Sequence, residues 1–144
     1  MTATLKPPMK YLGIDYGTKR VGIATSDDEG RMAFPFRVIP NVRTLVEDVA
    51  AICALERVDM IIMGESHNFQ NQPNPLMKEI NPFVEELRLR TKLPVVFMPE
   101  VLSSREAMHI QGDNAENDAS AAAIVLQSYL ERINPPPADP FGDD

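Results

Sequence analysis

The stretch "YLGIDYGTKRVGIATSD", residues 11–27, decides the fold. It contains two short apolar runs, 10–15 and 20–26, rich in β-branched residues and joined by a Gly-containing turn. That pattern predicts a β-hairpin. Asp15 stands at the end of the first run. Strand alternation puts it on one face with Gly13, and Leu12 and Ile14 on the other. A carboxylate at the edge of an apolar core needs a partner, because an unpaired buried charge is expensive.

Outward from the hairpin, "RMAFPFRVIP", 31–40, reads as a third strand, and Pro35 assigns it to an edge or a bulge. These three strands form an antiparallel meander. The period then changes. In "VRTLVEDVAAICALERV", Leu45, Val49, Ile52 and Cys53 fall on one helical face. "VDMIIMG", 58–64, and "LPVVFM", 93–98, are continuous apolar runs suited to buried parallel strands. Between them lie the polar loop "ESHNFQNQPNP" and a helix opened by Asn74 as N-cap and Pro75 as first helical residue. That helix runs to about residue 91 and buries Ile80, Phe83, Val84 and Leu87. "SSRE", 103–106, fits a capping box with Ser103 as N-cap and starts a short helix, and a last helix covers about 117–132.

The order βββαβαβαα predicts an α/β domain. Its core is a mixed five-stranded sheet, three antiparallel strands followed by parallel ones, flanked by helices. Residues 1–9 read as a flexible lead-in, 10–133 as one domain, and 134–144, "NPPPADPFGDD", as a disordered Pro-rich acidic tail.

Composition narrows the functional classes. The 144 residues suffice for one domain with a sizeable core. No apolar run approaches the roughly 20 residues that span a bilayer, and "MTATLKPPMK" lacks the apolar core of a secretory signal. Cys53 is the single cysteine, so no internal disulfide can form. It reads as a small buried hydrophobe, and a reducing cytoplasm is the simplest setting. The net charge of −7 excludes a strongly basic nucleic-acid binder. Segment 113–118, "DNAEND", is purely acidic, whereas 78–92 mixes Lys78, Arg88, Arg90 and Lys92 with Glu79, Glu85 and Glu86. Any nucleic-acid binding is therefore expected to be weak.

Strands one, four and five run parallel in such a sheet, so their C-terminal ends share one edge, where ligands bind in open α/β sheets. Those ends carry Asp15, the Gly64–Glu65 pair and Glu100. Asp118 shares a face of the last helix with Ala122, Val125 and Tyr129, and so points inward at the helix start. Alone, it could simply complement the helix dipole. Three acids converging from different elements repel one another and call for cations. Oxygen-only carboxylate sites suit Mg²⁺ or Mn²⁺, and two such ions about 4 Å apart can clamp a phosphodiester. Lys19 and Arg20 in the first turn, and Arg105, could hold substrate phosphate. Glu65 and His67 could add a ligand or proton carrier at the site's edge, or form an ordinary polar loop.

"YLGIDYGTKRVGIATSD", the acid in "MPEVLSSREA" and the segment "NDASAAAIVLQSYL" together resemble the YqgF/RuvX family, from about residue 10 to 132. Its members are described as Holliday junction resolvases and as pre-16S ribosomal RNA nucleases. The resemblance implies a ribonuclease H-like fold and metal-binding, catalytic acids at Asp15, Glu100 and Asp118. Pro99-Glu100-Val101-Leu102-Ser103-Ser104 stands where the family usually has Asp-Glu-Arg-Leu-Thr-Thr. Gly64-Glu65-Ser66 replaces Gly-x-Pro, and the short acidic "HIQGDNAEN" replaces a longer basic stretch. These departures touch substrate grip and leave the acids in place. The expected function is a cytoplasmic, Mg²⁺- or Mn²⁺-dependent nuclease acting on structured RNA or DNA, with no membrane partner and a homodimer left open. Two alternatives stand beside it. One is a non-catalytic nucleic-acid-binding or regulatory module on the same fold. The other is a nucleotide-binding phosphotransferase, since "GIDYGT" also resembles the first phosphate loop of sugar kinases, actin and the heat-shock ATPases. Those proteins use two such domains, whereas this chain has one.

Overall fold

The computed structural model describes residues 9–65, 75–99 and 115–134. The hairpin forms as expected: β1 (Tyr11–Tyr16) pairs antiparallel with β2 (Arg20–Ser26), with Ile14 opposite Ile23 and Asp15 opposite Gly22. β3 (Ala33–Pro40) pairs antiparallel with β2 at the sheet's edge. Ile23 faces Arg37 but Ala24 faces Pro35, so the register slips and Phe36 is the extra residue of a bulge. Pro35 thus sits both at an edge and in a bulge, where its missing N–H costs no ladder bond.

Beyond the meander, α1 (Leu45–Glu56) leads into β4 (Met60–Glu65), which lies parallel to β1. α2 (Met77–Thr91) is the crossover to β5 (Val95–Pro99), parallel to β4. α3 (Ala115–Ile133) is the last described helix. The sheet order is β3-β2-β1-β4-β5. Strand alternation splits the apolar side chains into two cores. Leu12, Ile14, Ile23, Ile61 and Met63 pack beneath α1 and α2 with Val49, Ile80 and Leu87. Tyr11, Ala24, Ile62 and Met98 pack beneath α3 with Ala122, Val125, Leu126 and Leu130. Cys53 is buried as expected, and that burial pushes its thiol up to about 11.

Several boundaries differ from the sequence expectation by one to three residues, three of them for a local reason. β3 starts at Ala33 rather than residue 31 because a turn consumes the preceding residues. The Asp27 N–H reaches the Met32 carbonyl at 3.0 Å, and Asp27 Oδ1 accepts the N–H groups of Arg31 (2.8 Å) and Met32 (3.2 Å). β4 starts at Met60 rather than Val58, because the Val58 N–H still bonds the Cys53 carbonyl of α1 at 2.9 Å. α2 begins at Met77, not at Pro75. The Pro75 carbonyl accepts the Lys78 N–H at 3.0 Å, so proline's fixed φ opens a turn that precedes the helix. The expected N-cap Asn74, the lead-in up to residue 8, the short helix from 103 and the tail from 135 lie outside the described residues.

Candidate functional site

Asp15 is the penultimate residue of β1 and half-buried. Its cross-strand neighbour is Gly22, which contributes no side chain to the shared face. In the parallel ladder Ile14 faces Met63, and Met63 faces Phe97, so β1, β4 and β5 end together. The C-terminal edge predicted from sequence is therefore a real edge of the sheet.

The last helix is oriented by two contacts along β1. The Tyr11 and Tyr129 rings lie 5.9 Å apart. Two residues further along the strand, a Cβ at Gly13 would stand 2.8 Å from Leu126 Cβ and 3.0 Å from the Ala122 carbonyl oxygen. As β1 advances from 11 to 13, its partners on α3 retreat from 129 to the 122–126 turn. The helix thus runs antiparallel to β1. Its first turns, which contain Asp118 one turn before Ala122, head toward the Asp15 end. Only glycine at 13 lets the helix approach this closely.

The β1–β2 turn carries the candidate phosphate-binding cations. Lys19 is exposed, and Arg20 is half-buried at the start of β2 opposite Pro40. Gly17 is obligatory there, because the Arg20 carbonyl oxygen is 2.5 Å from where a Cβ would lie. Asn41, which sequence reasoning did not single out, holds this turn. Its side-chain amide donates to the Gly17 carbonyl at 2.8 Å, and its backbone N–H donates to the Lys19 carbonyl at 2.9 Å. The signal for it is indirect. Pro40 ends β3 without an N–H to give, so the next residue supplies the bond. Tyr16 closes the other side, donating to Glu79 Oε1 at 3.3 Å and packing at a tilt against the Phe83 ring, centroids 5.4 Å apart. Burial raises the Tyr16 hydroxyl pKa; the hydrogen bond from Asn41 opposes this, and the Glu79 charge adds to it.

Glu65 ends β4, but alternation places it on the face of Met63, whereas Asp15 shares the opposite face with Gly13. Glu100 follows the last residue of β5 in the chain, and Glu100, His67 and Arg105 lie outside the described residues. Among the described residues, no three His, Cys, Asp or Glu side chains form a metal-binding group. The donor among the described residues, a half-buried Asp15 carboxylate opposite Gly22, is a hard oxygen ligand. That chemistry fits Mg²⁺ or Mn²⁺.

Comparison with known proteins places the molecule. Residues 9–132 match the RuvX family, described as Holliday junction resolvase. A protein of Nitratidesulfovibrio vulgaris (strain DSM 19637 / Miyazaki F), named "Putative pre-16S rRNA nuclease", is 39% identical over 132 residues, covering 85% of this chain and 93% of that protein. A Brucella canis protein of the same name is 33% identical over 142 residues, covering 92% and 88%. Among solved structures, Thermus thermophilus RuvC in complex with a Holliday junction superposes with a TM-score of 0.59 at 13% identity, covering 88% of this chain and 96% of that one. The Fowlpox virus resolvase bound to Holliday junction DNA gives 0.57 at 13% identity, covering 87% and 99%. These two structures share the ribonuclease H-like fold with this chain.

Proposed function

This chain belongs to the RuvX family of Holliday junction resolvases, and from that premise we propose that it is a divalent-metal-dependent endonuclease. Its substrate is structured nucleic acid, either precursor 16S ribosomal RNA or a four-way junction. The observation that carries the proposal is the seating of α3 on Gly13, which aims the Asp118 turn at the strand end that bears Asp15. Asp15, Glu100 and Asp118 would hold Mg²⁺ or Mn²⁺. When bound, such an ion supplies positive charge against the charge that develops on the reacting phosphate. Lys19, Arg20 and Arg105 neutralise flanking phosphates and fix the substrate's register on the protein. His67 contributes to the rim of the site, while Glu65, on the opposite face of the sheet, is left out of it. Among the described residues no helix is long and apolar enough to cross a membrane, and we place the enzyme in the cytoplasm, with nucleic acid as its partner.

The net charge of −7 limits the number of phosphates the protein can neutralise. Affinity should be low, with a shallow salt dependence, since the slope is about 0.9 per phosphate contact on duplex DNA. The direct test is cleavage of labelled four-way junctions and precursor 16S RNA with Mg²⁺ or Mn²⁺ and with chelator. Metal-dependent products from either substrate support the proposal. No cleavage of both, under conditions where the protein is folded, refutes it.

A further inference from the structure

Asp15 and Lys19 sit four residues apart but are held by different means. Asp15 lies inside the β1–β2 ladder, opposite Gly22. Lys19 lies beyond the ladder, exposed, on a turn that begins at Gly17. An exposed lysine on a short turn has no rigidity of its own, and its long stem carries high rotamer entropy. Something must fix the turn if its ammonium is to meet a phosphate at a constant place.

Asn41, just past the end of β3, does this. It is part-buried, and its amide and backbone N–H hold the two ends of the turn, the carbonyls of Gly17 (2.8 Å) and Lys19 (2.9 Å). On the other side, the Tyr16 hydroxyl is anchored on Glu79 of α2 at 3.3 Å. Two of the four residues that follow Asp15 are thus tied to one asparagine. Gly17 completes the fit, since the turn is too tight at the Arg20 carbonyl to accept a side chain.

Resting on the nuclease function above, we propose that Asn41 is a positioning residue for substrate: it locks the Tyr16–Lys19 turn so that Lys19 presents its charge to a phosphate beside Asp15. Asn41 touches no reacting atom. Its contribution passes through Lys19 to substrate grip, while Asp15 is kept in place independently by its ladder.

The test compares wild type, Asn41→Ala, Asn41→Asp, Lys19→Ala and the double variant Asn41→Ala/Lys19→Ala. Asn41→Asp keeps the shape and the backbone N–H but cannot donate to the Gly17 carbonyl, so it guards against misfolding of the alanine variant. Affinity for a fluorescein-labelled four-way junction is read by anisotropy in chelator, and kcat and KM by cleavage with Mg²⁺. Both Asn41 variants should weaken Kd and raise KM by about five- to tenfold with kcat within about twofold. The double variant should be no weaker than Lys19→Ala, because the two residues act as one unit. Losses that multiply in the double variant, or unchanged Kd in both Asn41 variants, overturn the proposal. A wild type that binds the junction but cleaves neither it nor precursor 16S RNA contradicts the nuclease function and leaves the Kd comparison to decide the role of Asn41. A wild type that binds nothing overturns the Asn41 role as well.

Discussion

Replacing Gly13 with alanine tests the link between packing and chemistry. The added Cβ would lie 2.8 Å from Leu126 Cβ and 3.0 Å from the Ala122 carbonyl oxygen, both on α3. Carbon atoms rest about 3.5–4.0 Å apart, so the helix must retreat by roughly 0.7–1.2 Å. Gly13 lies in a strand between β2 and β4, and its backbone has little freedom to yield. Overpacking of this kind costs about 1–3 kcal/mol, and the lower entropy of an unfolded alanine returns about 0.4–1 kcal/mol. A net loss of about 1–2 kcal/mol should lower Tm by roughly 3–8 °C in a domain of this size. The effect on activity should be larger than the effect on stability. α3 carries Asp118, and a displacement of about 1 Å in a catalytic constellation can cost on the order of 100-fold. Thermal unfolding and single-turnover cleavage, both well below Tm, separate the two effects. A folded Gly13→Ala protein with wild-type Tm and wild-type cleavage would refute the idea that α3 is gauged against β1. A lower Tm with unchanged kcat would show that the helix moves without carrying the site.

Two further substitutions probe the scaffold. Pro82 lies exposed inside α2 and offers no N–H to the Lys78 carbonyl; Pro82→Ala should raise stability by about 1–3 kcal/mol in thermal unfolding, and a fall would mean that the ring shapes the helix's packing. Burial acts to raise the Asp27 pKa, but the backbone N–H groups of Arg31, Met32 and Gly30 outweigh it and hold the carboxyl below its ordinary 3.8. A lowered native pKa means that the stabilisation is fully present above about pH 4 and disappears as pH falls through the native value. Asp27→Ala should therefore cost about 1 kcal/mol at pH 7 and progressively less below pH 4, which denaturant titrations at the two pH values would check.

Much of this architecture was legible in the chain because the decisive patterns are local. The alternation around Asp15, the Gly-containing turn and the apolar runs ending at Gly64 and Met98 each report a strand whose burial the sheet then satisfies. Pro35 announced its edge and bulge through the hydrogen bond it cannot make. The face of α3 was legible too: Ala122 and Val125 are buried and Tyr129 packs against the same core. What the sequence hid depends on contacts between distant residues. Beyond the missing N–H of Pro40, nothing near Asn41 marks it as a clamp, because its partners Gly17 and Lys19 lie more than twenty positions earlier. The αL conformations of Arg57 and Lys92 end α1 and α2 without the glycine that usually signals such a cap. Pro82 reads as a helix breaker, yet the apolar face of Ile80, Phe83, Val84 and Leu87 outweighs it by packing into the core. The opposite faces of Asp15 and Glu65 follow from the β1–β4 register, which sequence alone does not set.

The central claim is that the Asp15 carboxylate serves a divalent cation rather than the fold. Thermal unfolding with and without millimolar Mn²⁺, on wild type and Asp15→Asn, tests it most directly. A cation present at about 100 times its Kd stabilises the native state by about 2.7 kcal/mol, so wild type should melt several degrees higher with Mn²⁺. Asp15→Asn nearly keeps the side chain's shape and removes its charge. It should show no Mn²⁺ shift, should match or exceed the wild-type Tm in chelator because repulsion among the acids is relieved, and should lose metal-dependent cleavage. An unshifted wild type, an equal shift in the variant, or an Asp15→Asn protein that unfolds would each make Asp15 a structural residue and contradict the account.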